Sequence, residues 1–231
     1  MKRFWQTAAA APQPGGHGIF LDEKPLKKPN AEPLIVPQKT LAEAIAAEWQ
    51  NAPHNFGPDD LPLTRLATTA TDRITAHRAA IIPQLAAYAG HDVLCYRAET
   101  PPELAARQAQ NWQPWLDWAT NTLSLPLAAT TGLIPIPQPA TTIPTAQTLL
   151  LKYSDFALAG LGVAIPALGS FVLGLALHQN ALNPQTALTL AFLDELFQAE
   201  QWGDDPDSAA RRAAILTDLQ TCAKFWELCR P

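Results

Sequence analysis

The stretch Phe156-Ala157-Leu158-Ala159-Gly160-Leu161-Gly162-Val163-Ala164-Ile165-Pro166-Ala167-Leu168-Gly169-Ser170-Phe171-Val172-Leu173-Gly174-Leu175-Ala176-Leu177 decides the fold. It carries no charged residue and is about as long as a membrane-spanning helix. Against insertion stand Gly160, Gly162, Gly169 and Gly174, Ser170, a central Pro166, many alanines, and no basic cluster on either flank. A lone span would also leave the amphipathic helices after it without a partner. The favoured reading is a buried central helix, apolar all round because neighbours cover every face. A membrane-anchored protein is the rival reading.

Upstream of this stretch the pattern changes. Gly18-Ile19-Phe20-Leu21 and Leu34-Ile35-Val36 are short apolar runs set among turn-forming and charged residues, and they read as strands of a small antiparallel sheet. Thr40-Leu41-Ala42-Glu43 fits a capping box, so a helix is expected from there, with Leu41, Ile45 and Trp49 inward. Ile74, Ile81, Leu85 and Tyr88 mark another helix, interrupted by Pro83 and stopped near Gly90. A further helix after Pro101-Pro102 carries Leu104, Trp112 and Leu116. Leu127 to Pro137 looks extended, a candidate strand returning to the N-terminal sheet. Helices dominate from there to the end, so the fold class is α+β, a small antiparallel sheet followed by a helical bundle.

Composition narrows function. The chain has 231 residues, 48% hydrophobic and 16% charged, which is globular rather than disordered. Met1 to Lys39 holds six Lys/Arg against three Asp/Glu, and the remainder ten against eighteen, so the two parts carry +3 and −8. A sustained basic surface for nucleic acid is therefore absent. Cys95, Cys222 and Cys229 form neither a disulfide framework nor a zinc pattern, and the N-terminus shows no signal or transit segment. The expectation is a bacterial cytoplasmic protein without stable membrane insertion.

No Gly-rich phosphate loop, Gly-x-Ser-x-Gly, His-Glu-x-x-His or Cys-x-x-Cys is present, so no catalytic, metal or cofactor site is assigned. An enzyme of unrecognised type, such as a hydrolase, would have to use His91 and Asp92 or the acids between Asp194 and Asp207; a capping histidine and a solvated acidic loop are the plainer readings. Two constellations stand out. Arg65 and Asp72, with Arg73 beside them, are expected to form a structural ion pair fixing a loop to the next helix, or a binding loop. In 193–205, Leu193, Leu196 and Phe197 make one apolar face, while Ala191, Glu195, Gln198 and Trp202 line up opposite, next to Asp194. That second stripe either packs in another layer or meets a partner.

Many of these pieces resemble one family. They are Arg3-Phe4-Trp5, Leu21-Asp22 with Pro25-Leu26-Lys27, Leu41-Ala42-Glu43-Ala44-Ile45-Ala46 with Glu48-Trp49, Pro62-Leu63-Thr64-Arg65-Leu66-Ala67, and Asp72-Arg73. Tyr88-Ala89-Gly90, Asp92, Leu94-Cys95-Tyr96-Arg97-Ala98-Glu99, Gln108, Trp112, Leu116-Asp117-Trp118, Thr131-Gly132, Asp194-Glu195 and Gln198-Ala199-Glu200-Gln201-Trp202-Gly203 follow in order. The chain is similar to the assembly chaperones of the F1-ATPase alpha subunit, found in mitochondria and related bacteria. The resemblance implies an N-terminal α/β domain over 1–70, with 127–137 as a candidate completing segment, and a mainly helical domain over 71–231. It also implies a non-enzymatic chaperone that binds the free alpha subunit until the beta subunit covers the same surface, in the bacterial cytoplasm or, for eukaryotic relatives, the mitochondrial matrix. Asp194, Glu195, Gln198 and Trp202 are the expected partner-binding residues. Three departures are visible: Asp22-Glu23-Lys24 in place of Asp-Gly-Arg, Thr68 in place of asparagine, and no polar residue around Gly162-Val163, which implies a helix more buried, or more unusual, than its relatives.

Overall fold

Ile19 and Leu21 are buried and Phe20 between them is half-buried, the alternation of a strand with one face on a core. In the computed structural model, which describes residues 1–132, 134 and 136–230, strand β2 (Gly16–Leu21) is the centre of an antiparallel sheet. It pairs with β1 (Ala8–Gln13) from Ala8↔Leu21 to Gln13↔Gly16, with β3 (Lys24–Pro25), and with β4 (Ile35–Val36) through His17↔Val36. Gly16 is required where β2 meets β4: its φ is +152°, and a Cβ there would lie 2.3 Å from the Val36 carbonyl oxygen. Asp22 itself takes the positive φ of the next turn (+55°), its carboxylate accepting from Gln6 N and Thr7 N, so Glu23 needs no glycine in its place.

The chain divides into two compact units. The first holds Met1–Arg78, Ser154–Gly160 and the stretch from Lys224 onward. Helix α1 (Lys39–Asn51) lies on its sheet and buries Leu41, Ala42, Ile45, Ala46 and Trp49. The expected capping box does not form. The helix starts one residue before Thr40, and the Thr40 hydroxyl donates to the Leu228 carbonyl at 2.8 Å instead. Trp5, Trp49 and Phe56 pack with ring centroids 5.0–5.6 Å apart. Trp5 Nε1 donates to the Trp49 carbonyl and Trp49 Nε1 to Thr64 Oγ1, so both buried indoles are satisfied.

Helix α2 (Pro62–Thr68) has no cap of its own, and Glu48 of α1 supplies one. Its carboxylate accepts from Leu63 N at 2.7 Å, Thr64 N at 3.0 Å and Thr64 Oγ1 at 2.6 Å. A π-helical stretch, Thr69–Ile74, leads into α3 (Thr75–Ala86). Arg65 and Asp72 do not pair: Arg65 meets Asp59 at 2.7 Å and Asp72 meets Lys28 at 2.6 Å, while Arg73 is exposed. Seven residues along a helix is two turns, whereas side chains meet at a spacing of three or four. Thr68 is half-buried, and its carbonyl accepts from Thr71 Oγ1.

The second unit holds Ala79–Tyr153 and Leu161–Ala223. Its helices are the end of α3, α4 (Pro102–Leu123), α5 (Thr142–Leu151), the second half of α6 (Asp155–Leu168), α7 (Phe171–His178), α8 (Pro184–Ala191), α9 (Leu193–Trp202) and most of α10 (Pro206–Leu228). The apolar stretch is thus two helices, broken at Gly169 (φ +59°) and Ser170. Only α7 is buried throughout, from Phe171 to Leu177. In α6, Gly162 and Pro166 are exposed and Val163 is half-buried, so of the two readings of the Gly162-Val163 departure, a more buried or a more unusual helix, the first does not hold at this turn. No helix among the described residues is long and apolar enough to cross a membrane. The strand expected in 127–137 does not join the N-terminal sheet. Instead β6 (Thr130–Thr131) pairs in parallel with β5 (Tyr96–Arg97), and Gln138 then bonds Ala128 N and O, folding the segment back on itself. Leu133 and Pro135 of that segment lie outside the described residues.

Asp92 starts the buried helix. Fully buried, it accepts from Leu94 N at 3.1 Å, Ser170 Oγ at 2.9 Å and Val172 N at 3.0 Å, and Ser170 Oγ caps Leu173 N. Burial pushes its pKa up to about 6 against the pull of these donors. An acid whose pKa is higher folded than unfolded binds more protons in the native state between the two values, so stability falls as pH rises through about 6. Chemical denaturation of wild type and Asp92→Asn from pH 4 to 7 should show that decline in the wild type, up to about 3 kcal/mol, and its absence in the variant.

Candidate functional site

Among the described residues the most exposed large apolar side chain is Trp202, at 80%. It ends α9, whose Leu193 and Phe197 are buried and whose Leu196 is half-buried, as the apolar face required. Ala191 does not belong to the opposite stripe, because α8 ends there and Phe192 breaks the helix before α9 begins. The remaining stripe residues separate. Gln198 and Trp202 line a groove of about 740 Å³ with Gln201, Phe197, Leu104 and Arg107. Glu195 turns instead to α10, where it meets Arg211 at 2.5 Å and Arg212.

Charged groups around α9 are fixed by partners from other elements. Arg107 of α4 grips both oxygens of Glu200, at 2.8 and 2.7 Å, and lies 5.1 Å above the Phe197 ring. Arg212, itself buried, joins Glu195 to Asp204 by a bidentate contact at 2.6 and 2.5 Å. Gly203 (φ +91°) closes α9, and Asp205 accepts from Ser208 N to start α10. Within 194–207 the acids Glu195, Glu200 and Asp204 are paired with Arg107, Arg211 and Arg212 from other parts of the chain, whereas 201–207 are exposed, as a solvated acidic loop would be. Among the described residues no group of three His, Cys, Asp or Glu is arranged to hold a metal.

Asp194 points inward. It accepts from Gln108 Nε2 at 2.7 Å, and Gln108, fully buried, accepts Ala98 N at 2.6 Å with its other amide atom. The Gln108 carbonyl receives Arg97 Nη1, whose guanidinium lies 5.3 Å from the Trp112 ring, and Trp112 Nε1 donates to Leu190 O. This network ties α4, β5 and α8 to the start of α9. Sequence placed Trp112 on a helix and singled out Gln108 only through resemblance; their partners lie 78 and 86 residues away, beyond any local pattern. His91 and Asp92 share no site, since His91 is exposed beside Tyr88 while Asp92 faces Ser170.

An α+β fold carrying a paired-charge helix, an exposed tryptophan and a polar-rimmed groove has the features of a protein-binding surface. A profile of the family described as ATP12 chaperone protein matches residues 2–120. The crystal structure of Atp12 from Paracoccus denitrificans superposes with a TM-score of 0.95 at 37% identity, covering 99% of this chain and 98% of that one. A point mutant of that protein gives 0.94 at 36%, with the same coverage. A protein of Agrobacterium tumefaciens gives 0.93 at 36%, covering 99% of this chain and 86% of its own. The chain belongs to the ATP12 chaperone family, and its role is that of an assembly chaperone.

Replacing Gln108 by leucine keeps the volume but leaves Ala98 N and the Asp194 carboxylate without their partner. Urea denaturation of Gln108→Leu should show a loss of about 1–3 kcal/mol, the cost of leaving two partly buried polar groups unpaired.

Proposed function

We propose that this chaperone holds the free alpha subunit of F1-ATPase during assembly of ATP synthase and yields it to the beta subunit. The observation that carries the reading is Trp202, exposed on a groove beside residues that charge pairs hold in place. Tryptophan in such a setting is the usual anchor of a protein interface. Gln198 and Trp202 make the contact, while Asp194 and Glu195 support it from behind by fixing α9 to Gln108 and to Arg211 and Arg212. The loop around Arg65, Asp72 and Arg73 serves structure, through Asp59 and Lys28.

The sequence holds no phosphate-binding loop, so release runs by competition rather than by ATP hydrolysis. A contact of standard size that overlaps the beta-facing surface suffices, because the permanent subunit interface is larger. This work is non-enzymatic and belongs to the bacterial cytoplasm.

Co-purification from the native organism at modest salt should recover the alpha subunit as main partner and no intact F1. Recovery of unrelated proteins alone, or of assembled F1, overturns the reading. Trp202→Ala should weaken capture of purified alpha subunit by about tenfold or more at unchanged melting temperature. Glu195→Lys would crowd three cations together and is a test of stability; Trp202→Ala is the test of binding.

A further inference from the structure

A second concavity lies in the N-terminal unit. Its floor is Leu26, Trp49 and Phe56, all buried, and its volume is about 660 Å³. Phe4 stands on its rim, 72% exposed. This ring is not on a frayed end: Arg3 N donates to His54 O at 2.8 Å, Phe56 N to Met1 O at 3.0 Å, and Trp5 meets it edge-on at 5.2 Å. The backbone presents an aromatic side chain to solvent at a fixed place.

Lys2, Lys24 and Lys27 line the same groove, and all three are exposed. Among the described residues none of them forms an ion pair, whereas Lys28 and Lys39 are matched by Asp72 and Glu43. Of the neighbouring acids, Asp22 accepts from the backbone of Gln6 and Thr7 and also lies within electrostatic reach of Lys24, and Glu23 is exposed. An apolar floor ringed by three lysines that form no ion pair among the described residues is complementary to an apolar side chain flanked by carboxylates. A plain apolar ligand would leave the charges idle. Nucleic acid would need a sustained basic stripe, which a chain of net charge −5 does not provide.

We propose that this groove docks an acidic amphipathic segment of a protein partner, its apolar anchor on Trp49 and Phe56 against Phe4, and its carboxylates on Lys2, Lys24 and Lys27. The site is separate from the α9 groove and depends neither on that reading nor on the client's identity.

The probe is a pair of fluorescein-labelled amphipathic peptides with Leu and Phe at positions i, i+3, i+4 and i+7, one carrying Glu and the other Lys at the remaining positions. Anisotropy titrations with the full chain should show the Glu peptide binding at least about tenfold more tightly, with the difference shrinking at high salt. The double variant Lys24→Glu/Lys27→Glu should abolish or reverse that preference. Phe4→Asp should weaken the Glu peptide by about tenfold or more. All three side chains are exposed, so melting temperatures should hold. Should Phe4→Asp lower the melting temperature, the lysine variant alone decides. Equal binding of the two peptides, no effect of the lysine changes, or self-association in sedimentation that Phe4→Asp removes would overturn the proposal, the last by placing a second copy in the groove. Alpha-subunit capture by the Trp202→Ala variant is read independently, so failure of one surface does not touch the other.

Discussion

A helix with no polar face, placed wholly inside a protein, must still satisfy the backbone N–H groups of its first turn, and the second unit is organised around that requirement. Helix α7 meets it with Ser170 and, more deeply, with the buried carboxylate of Asp92. One group closes the turn at Leu94, accepts the Ser170 hydroxyl and accepts Val172 N, so it joins the loop after α3 to the first residues of α7. The Gly169 carbonyl accepts Val93 N at 3.1 Å, making the connection two-sided. Gly174 lets α7 lie against α6, since a Cβ there would sit 2.5 Å from Ile165 Cγ1. With α7 seated, the facing elements acquire a core to pack on.

The first unit solves a similar problem with different chemistry. Its helix start is also uncapped from within, and Glu48 reaches across from α1 to serve it. The Thr64 hydroxyl stands between, donating to Glu48 and receiving Trp49 Nε1, so a charge, a hydroxyl and an indole form one line of bonds ending in the aromatic cluster. Pairs that read only as family likeness, Glu48-Trp49 and Leu63-Thr64, are two halves of a single junction.

What the sequence disclosed follows from where the information sits. Helices α1, α4 and α9 have one face inside and one outside, so periodicity announces them. The stretch from Phe156 to Leu177 has no such contrast; its break depends on Ser170 and on an aspartate 78 residues away. Strand β1 is four alanines, a proline and a glutamine, poor in the residues that favour strands, and exists because β2 offers it a partner. Ion pairs followed the same rule. Arg65 and Asp72 are close in sequence and invite pairing, yet Asp72 finds Lys28, 44 residues back. At the candidate site the stripe of Glu195, Gln198 and Trp202 was legible as a helix face, but its division between groove and charge cluster depends on Arg107, Arg211 and Arg212, which no local pattern connects to it.

The bond from Thr40 to the carbonyl of Leu228 spans 188 residues, and it is not isolated. Trp226 donates to Ala157 O and lies against Gly160, where a Cβ would come within 2.4 Å of its indole nitrogen, and Phe225 stacks on Phe156 at 6.0 Å. The N-terminal unit therefore includes side chains that follow the whole second unit in sequence. On the ribosome its sheet and first helix emerge early and wait with one flank uncovered until the whole second unit has been synthesised. A chaperone built this way has an assembly interval of its own, and its first unit is completed only after synthesis of the second rather than on the appearance of its sheet.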